Sequence, residues 1–327
     1  MPTRSTVSRF IVARARWLAW LSAIGALSAP VSRWLPADSM PTLQWGVELA
    51  AYWQWLYAAA GTAALMVLWV LGRAWWQVVP TLALAGSFMA QAAPLAGAPA
   101  LPADAPVLSV GTANLNLATA DFAPLRQWLA SADAPDVVFL QEFTELAQRA
   151  LDEDPAVAAR YPHRLAVPQP DPFGLAILSR HPLVDAQALP PRTDHDTLRL
   201  RATLQWHGLP VHLSALHPMP PIHSAYARAR DQALQDEARH LAQADGLGVL
   251  AGDLNTTPWA RSLFMVEGTL RRAHGAAPSW PNAFGWLSVL PLDHVLASNG
   301  WQVLESSIGP ELGSDHRPVV VRLVLAP

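Results

Sequence analysis

The chain of 327 residues is 52% hydrophobic, has a formal net charge of −3 and contains no cysteine. Its length allows one large domain or two ordinary ones. Without cysteine, the chain cannot form disulfides, use a thiolate nucleophile or bind zinc through thiolates. Charged residues are sparse before residue 105, so the first part of the chain is predicted to be a membrane region.

Three apolar segments in this first part are predicted to be transmembrane helices, at residues 17–35, 49–71 and 75–93. About 20 apolar residues in a helix cross ~30 Å of hydrocarbon, and tryptophans flank several of these segments as interfacial anchors do. A soluble helical hairpin is the alternative for any one segment, and a cleaved signal peptide is the alternative for the first. We therefore divide the chain into a membrane region (1–97), a linker rich in Ala, Pro and Gly (98–106) and a domain (107–327).

The positions of the arginines predict how these spans are oriented. Four arginines precede the first span, and Arg73 lies between the second and the third. The loop between the first two spans carries Arg33 against Asp38 and Glu48. By the positive-inside rule the N-terminus is cytoplasmic, and three crossings place the domain on the other side of the bilayer.

After residue 105 the sequence alternates predicted strands and helices. Residues 107–114 and 136–142 form apolar runs typical of strands, and residues 121–132 between them carry apolar side chains at helical spacing. Strand, helix and strand in this order indicate a layered α/β domain. Further strands are predicted at residues 174–179, 211–216, 247–250, 295–296 and 319–325.

A long amphipathic helix is predicted at residues 224–243. Such a helix packs its apolar stripe on the core and turns its charged residues to water. We expect five charged residues on this solvated face: Arg228, Arg230, Asp231, Asp236 and Glu237.

Polar residues stand at the ends of the predicted strands, and Asp253 and Asn255 are the most informative pair. An apolar run closes on Gly252-Asp253-Leu254-Asn255, which places a carboxylate and a carboxamide on one edge of the strand tip. Asp253 can orient a water or take its proton, and Asn255 can donate to a phosphoryl oxygen without adding charge. An Asx-turn is the alternative for this pair alone. The same placement at strand ends is shared by Asn114, Glu142, His217, Asp293 and the pair Asp315-His316.

The order of these motifs resembles the endonuclease/exonuclease/phosphatase superfamily, the metal-dependent phosphoesterases that include deoxyribonuclease I. The resemblance implies a four-layered α/β-sandwich, in which helices flank two packed, mostly antiparallel sheets. The N-terminal spans resemble the membrane-anchored bacterial branch, which implies a bacterial inner membrane protein with a periplasmic catalytic domain. The motifs cover nearly all of residues 107–325: Ala113-Asn114-Leu115, Asp136 to Glu142, Gly174 to Arg180, Leu216-His217-Pro218, Gly252 to Asn255, Leu292 to Val295 and Gly313 to Val319.

The same resemblance implies which residues hold a divalent metal. Glu142 would be the principal ligand, with Asn114 and Asp315 contributing to its shell. Oxygen ligands without thiolate select Mg²⁺ or Mn²⁺. Asn116 stands where some members carry a second acidic group, so the metal shell is expected to be thinner or completed by water.

The catalytic roles implied by the resemblance fall on the remaining strand-end residues. Asp253 would orient or deprotonate the attacking water, and Asn255 would bind the phosphoryl oxygen. His316, held by Asp293, would contact the scissile phosphate, and His217 would assist on the leaving-group side. Substrate binding is assigned to three residues in all: Asn114, Asn255 and Arg192.

The charge of the domain bears on its substrate. Six of the 22 basic residues and three of the 25 acidic ones precede residue 105, which leaves a net charge of −6 after it. Duplex DNA is therefore not expected as a general ligand, because non-specific affinity for DNA comes from basic surface. The only notable basic cluster is Arg192, Arg199 and Arg201, for which a solvated strand face is the alternative.

These observations predict a membrane-anchored, metal-dependent hydrolase of a phosphodiester or phosphomonoester. A lipid head group, a nucleotide or a nucleic acid are the candidate substrates, attacked in line by an activated water. The partners expected are the lipid bilayer and the phosphoester, and no protein partner is deducible. A non-catalytic membrane-bound binding or scaffolding protein that keeps the fold is the alternative.

The predicted orientation can be tested with reporters fused to the C-terminus. Alkaline phosphatase needs the oxidising extracytoplasmic compartment for its disulfides, whereas green fluorescent protein exported through Sec is dark. We expect an active alkaline phosphatase fusion and a dark green fluorescent protein fusion, with a fluorescent N-terminal fusion as the control. The reverse pattern at the C-terminus would overturn the orientation.

Overall fold

The computed structural model describes residues 4–36, 39–71, 77–89, 105–282 and 288–326. The chain divides into two compact units, the first containing Met1–Ala93 and Pro258–Phe264 and the second containing Pro94–Thr257 and Met265–Pro327. The predicted third span (75–93) and the predicted linker (98–106) lie partly outside the described residues. Their boundaries therefore remain predictions.

The first unit is helical. Val12, Ala15 and Ala19 of its first helix are buried against Ala64 and Leu68 of its fourth helix. Small residues at such a contact let two helix backbones approach closely, as they do between helices within membranes. The helices are α1 (Arg4–Ala26), α2 (Ser28–Trp34), α3 (Pro41–Ala51), α4 (Gln54–Val70), α5 (Val78–Met89) and the short α10 (Arg261–Phe264).

One helical segment of this unit, Val7–Trp34, is long and apolar enough to cross a membrane, with a mean hydropathy of 1.4. Pro41–Ala51 and Gln54–Val70 pass the same test only when taken together, and they are bent by 58° at their junction. These findings concern length and composition among the described residues. They agree with an apolar N-terminal anchor, and the division into three spans stays a prediction.

The second unit contains two six-stranded sheets. The first sheet consists of β1 (Leu108–Asn114), β2 (Val137–Gln141), β3 (His163–Val167), β4 (Leu175–Ser179), β11 (Trp301–Ile308) and β12 (Val319–Leu325), in the spatial order β11-β12-β1-β2-β4-β3. The second consists of β5 (Leu183–Leu189), β6 (Arg199–Trp206), β7 (Leu209–Leu216), β8 (Leu247–Asp253), β9 (Leu270–Arg272) and β10 (Asp293–Ser298), in the order β5-β6-β7-β8-β10-β9.

The two sheets pack face to face over one apolar core, to which β1, β2, β7 and β8 all contribute. The other face of the first sheet is covered by α6 (Ala123–Ala130), α7 (Glu145–Asp152) and α8 (Pro155–Arg160), whose apolar residues form a second cluster with it. On the second sheet α9 (Ser224–Gln243) lies close over Gly248, where Leu241 leaves little room. Helix, sheet, sheet and helix make four layers, so the predicted α/β-sandwich is confirmed.

The charged side of α9 is not solvated as predicted. Arg230 and Glu237 are completely buried and Asp231 is 8% exposed, so for these three residues the prediction was wrong. Buried charges are tolerated where a partner compensates them. Glu237 accepts two hydrogen bonds of 2.9 Å from the Arg201 guanidinium and one of 2.6 Å from the Ser214 hydroxyl.

Each sheet contains one parallel pair of strands, and these pairs bring the polar strand ends together. β1 and β2 run parallel, with Asn114 opposite Gln141, and β7 and β8 run parallel in the other sheet. β10 runs antiparallel to β8 and begins with Asp293 opposite Asp253. The carboxyl ends of parallel neighbours meet at one edge of a sheet, so this pairing supplies the rim on which the site is built.

Gly252 allows the ends of β7 and β8 to approach closely. A Cβ atom at this position would lie 1.8 Å from the carbonyl oxygen of Leu216. Since two atoms cannot come so near, any side chain there forces the strand ends apart.

We expect Gly252→Ala to lower the melting temperature of the full-length chain in detergent by at least about 2 °C, because a backbone clash of this kind costs more than about 1 kcal/mol. Gly268→Ala is the matched control, since a Cβ there meets nothing within 4 Å. Equal melting temperatures for the two variants would contradict the close approach.

Candidate active site

The side-chain amide of Asn114 connects carboxylates from both sheets. Its Nδ2 donates to Glu142 Oε1 at 2.9 Å and to Asp253 Oδ2 at 3.1 Å. Asn114 is the last residue of β1, Glu142 follows β2, and Asp253 ends β8. Three predicted site residues therefore meet at one buried amide, which is 1% exposed.

Glu142 presents its carboxylate from a strained backbone. Its φ angle is 53°, in the left-handed region that residues other than glycine rarely adopt. Strain of this kind persists where the surrounding structure requires a special side-chain direction. Glu142 Oε2 accepts from the backbone N–H of Leu117 at 2.5 Å, so each oxygen has one donor and keeps further lone pairs for a cation.

Asp315 is held by two neutral donors. Asn116 Nδ2 donates to its Oδ1 at 2.7 Å, and the indole Nε1 of Trp280 donates to its Oδ2 at 3.0 Å. An ionised acid in place of Asn116 could only accept hydrogen bonds and would repel Asp315. The asparagine thus supports Asp315, a candidate metal ligand, and the thinner or water-completed metal shell stays a prediction. The contribution of Trp280 was not predicted from the sequence, because no local pattern of residues indicates that an indole will contact a residue distant in the chain.

Asp253 lies at the centre of the site. Its Oδ1 accepts from the backbone N–H of Asn255 at 2.9 Å, and its Oδ2 lies 3.5 Å from His217 Nε2 and 3.7 Å from His316 Nε2. Burial acts to raise the pKa of Asp253, but the nearby charge of His316 and the hydrogen bond and charge of His217 outweigh it and lower the pKa. The carboxyl group is therefore ionised at neutral pH.

His316 and Asp293 form the pair that the family resemblance implies. His316 Nδ1 lies 2.8 Å from Asp293 Oδ2, and both residues are buried. Burial acts to lower the pKa of His316, but the charges of Asp293 and Asp253 outweigh burial and raise it to about 10. His316 is therefore an imidazolium at neutral pH, with Nε2 turned to Asp253.

His217 is the second histidine beside Asp253. Its Nδ1 lies 3.0 Å from the carbonyl oxygen of Pro172, which accepts the Nδ1 proton. Burial acts to lower the pKa of His217, but the hydrogen bond to Asp253 and the charge of that carboxylate outweigh it, so the pKa is raised. His217 and His316 thus face one carboxylate oxygen from two sides.

Asn255 turns the chain away from the end of β8. Its φ angle is 49°, a left-handed conformation that asparagine tolerates better than most residues. Its Nδ2 donates to the carbonyl oxygen of Pro218 at 3.0 Å, which ties this turn to the residue after His217. The structure therefore places Asn255 within the network that surrounds Asp253.

Arg192 is not among the side chains that this network joins. It forms ion pairs with Asp196 at 3.1 Å and with Asp236 at 2.6 Å. The other two arginines of the predicted basic cluster are also paired, Arg199 with Asp196 and Arg201 with Glu237. The cluster is largely neutralised by its own carboxylates, and substrate binding by Arg192 remains a prediction.

The donor set fits a hard divalent cation. Asp253, Asp293 and His316 offer ligand atoms that all lie within 4.8 Å of one another. His316 is protonated and already bonded to Asp293, so the half-buried carboxylates of Glu142 and Asp315 are the better candidates for direct ligands. Four carboxyl groups and two histidines meet in this network, and oxygen-rich sites of this kind suit a divalent cation.

The sequence profile of the Endonuclease/Exonuclease/phosphatase family matches residues 111–316. This match includes every catalytic and metal-binding residue predicted above. The chain belongs to this family. Family members are phosphoester hydrolases, and this chain is an enzyme of that type. Enzymes of the family use divalent metals. A comparison with curated proteins found no match.

Solved structures of three similar proteins support the same fold for this endonuclease/exonuclease/phosphatase protein. A family member from Beutenbergia cavernae is 22% identical, with a TM-score of 0.55 over 67% of this chain and 72% of that chain. A family protein from Bacteroides thetaiotaomicron is 17% identical, with a TM-score of 0.55 over 68% of this chain and 100% of that chain. D. rerio TDP2, complexed with a single strand DNA product, is 19% identical, with a TM-score of 0.54 over 66% of this chain and 98% of that chain.

The contact between His316 and Asp293 predicts strongly non-additive mutations in this family member. His316→Ala removes the cationic donor. Asp293→Asn keeps the His316 imidazole but leaves it misoriented and lowers its pKa. We expect His316→Ala to lower kcat/KM on a phosphodiester at least as much as Asp293→Asn. The double variant should be little worse than His316→Ala, because the two residues act as a unit. Effects that simply multiply would show that they act independently.

Proposed function

We propose that this protein is a membrane-anchored, divalent-metal-dependent phosphoesterase that attacks a phosphodiester or phosphomonoester in line with an activated water. The observation that carries this proposal is the position of the Asp253 carboxyl group between His217 and His316, joined through Asn114 to Glu142. This arrangement places a carboxylate that can orient water beside side chains that can donate hydrogen bonds to phosphoryl oxygens.

Asp253 would orient the attacking water. Because its pKa is lowered, it is a weak base, and it takes the proton only as the water forms its bond to phosphorus. The backbone N–H of Asn255 donates to Asp253 Oδ1, and Asp253 Oδ2 faces the two histidines. The carboxylate is thereby held in one orientation before substrate arrives.

His316 would stabilise charge on the phosphoryl group. Asp293 engages Nδ1, so Nε2 is the nitrogen that remains for the substrate. His217 is held in the same way, with Nδ1 bonded to Pro172 and Nε2 turned inward. His217 would assist the leaving oxygen, and the carboxamide of Asn255 would bind a phosphoryl oxygen as a neutral donor.

Glu142, with Asn114 and Asp315, would hold the metal, and an all-oxygen set favours Mg²⁺ or Mn²⁺. A divalent cation bound there supplies Lewis-acid charge that offsets the negative charge of the phosphoester. The chain's own contribution is the rigid support of these oxygens by Leu117, Asn116 and Trp280.

The acidic domain and the self-paired arginines favour a lipid head group or a periplasmic nucleotide over duplex DNA. The proposed location is the bacterial inner membrane, with the catalytic unit outside the cytoplasm. TDP2 was solved with single strand DNA, so nucleic acid belongs in the substrate panel. Arg192 is the proposed contact for substrate charge.

The test is hydrolysis of bis-p-nitrophenyl phosphate by the full-length protein in detergent, with Mg²⁺, with Mn²⁺ and with a chelator. Metal-stimulated turnover supports the proposal, and a panel of phospholipids, nucleotides, single-stranded DNA and duplex DNA then identifies the substrate class. Absence of turnover on every member of the panel would leave a non-catalytic binding role as the better description.

Glu142→Gln should abolish metal-dependent turnover while preserving the fold, because the amide keeps the shape of the side chain but loses the charge that holds a divalent cation. Calorimetric titration with Mn²⁺ should show affinity weakened by at least about tenfold. Glu153→Gln, an exposed glutamate at the end of α7, is the matched control. Unchanged affinity in Glu142→Gln would remove this residue from the metal site.

A further inference from the structure

The turn that carries Asn255 is held from behind by two buried side chains of the second unit. Arg230 Nη1 donates to the carbonyl oxygen of Asn255 at 3.2 Å. His294 Nε2 lies 3.0 Å from the carbonyl oxygen of the next residue, Thr256. Two successive peptide groups of the turn are therefore fixed by donors from α9 and β10.

Arg230 is completely buried, although arginine is seldom found inside a protein. Its Nε and Nη2 donate to Asp231 Oδ1 at 3.1 and 2.7 Å, which compensates the charge. The planar guanidinium can hold this carboxylate with one edge and reach the Asn255 carbonyl with Nη1. A buried ion pair is weak evidence for stability. The contact of Arg230 with the turn therefore needs an explanation other than stability.

His294 follows Asp293 on β10, and the alternation of a strand sends the two side chains to opposite faces. Asp293 bonds to His316, whereas His294 bonds to the Thr256 carbonyl. A carbonyl only accepts hydrogen bonds, so His294 Nε2 carries the proton. Burial lowers the pKa of His294 to about 3, and the ring is a neutral, permanent donor at physiological pH.

The turn needs such support because its geometry is specific. Asn255 has a φ angle of 49°, its N–H orients Asp253, and its carboxamide is fixed by Pro218. If the peptide after Asn255 rotates, the carboxamide and the orientation of Asp253 change together. Catalytic groups lose effectiveness when they are displaced by a fraction of an ångström.

We propose that Arg230 and His294 are positioning residues, which fix the turn at Asn255 and Thr256 so that Asn255 and Asp253 keep their catalytic geometry. This inference rests on the proposed phosphoesterase function. It assigns no contact with substrate to either residue. It predicts a loss of turnover without a matching loss of substrate or metal affinity.

The test compares His294→Phe with His274→Phe in the full-length protein in detergent. His274 is a matched control, because it is also buried and its Nε2 also lies near a carbonyl oxygen, that of Ala277 at 3.3 Å. We expect His294→Phe to lower kcat on bis-p-nitrophenyl phosphate about tenfold or more, with KM changed less than about twofold. His294→Gln, which can still donate, should recover part of kcat, and Mn²⁺ affinity should be unchanged.

Hydrogen exchange gives a readout that needs no activity. Backbone amides of residues 252–257 should exchange faster in His294→Phe and at the wild-type rate in His274→Phe. If His294→Phe folds poorly, Arg230→Lys supplies the same test, with the buried, ion-paired Arg199→Lys as its control. The lysine keeps the charge but loses the planar fork.

The outcomes separate the two proposals. If the wild-type protein hydrolyses no phosphoester while exchange at residues 252–257 rises as expected, the proposed function fails, and the two residues support the turn without serving catalysis. If wild-type turnover is robust and His294→Phe and Arg230→Lys match their controls in both kcat and exchange, the positioning role is overturned. If His294→Phe and Arg230→Lys lower kcat only as much as their controls do, the positioning role is overturned as well.

Discussion

The site depends on one neutral amide between two carboxylates. Asn114 Nδ2 donates to Glu142 on one sheet and to Asp253 on the other. Like charges brought this close in a buried site repel each other and favour protonation of one carboxyl group. The shared donor offsets that repulsion without adding charge. The two acids can then lie side by side, one to hold a cation and the other to orient water.

Two histidines flank Asp253. That carboxylate raises the pKa of both His217 and His316, and Asp293 raises the pKa of His316 as well. The same contacts fix which nitrogen of each ring faces the centre of the site. Charge state and orientation thus have a common origin, so a change that removes a carboxylate disturbs both.

Polar groups as well as apolar packing support the site. The buried Arg230 and His294 hydrogen-bond to the turn after β8, and the half-buried Trp280 hydrogen-bonds to Asp315. Buried polar groups of this kind cost free energy unless every partner is present. Natural proteins accept such costs at functional sites, where geometry matters more than stability.

The central strands and the acids, amides and histidines at their ends could be predicted from the sequence alone. Motifs such as Gly252 to Asn255 are local, so spacing and residue type suffice to find them. Edge strands such as β5 and β11 were not predicted, because their largely exposed or half-buried residues lack a continuous apolar run. The burial of Arg230 and Glu237 and the contact of Trp280 with Asp315 are seen only in the folded chain. Hydrophobic periodicity separates polar from apolar faces, but a polar residue is buried when a partner distant in sequence compensates it, and that partner is known only once the chain has folded.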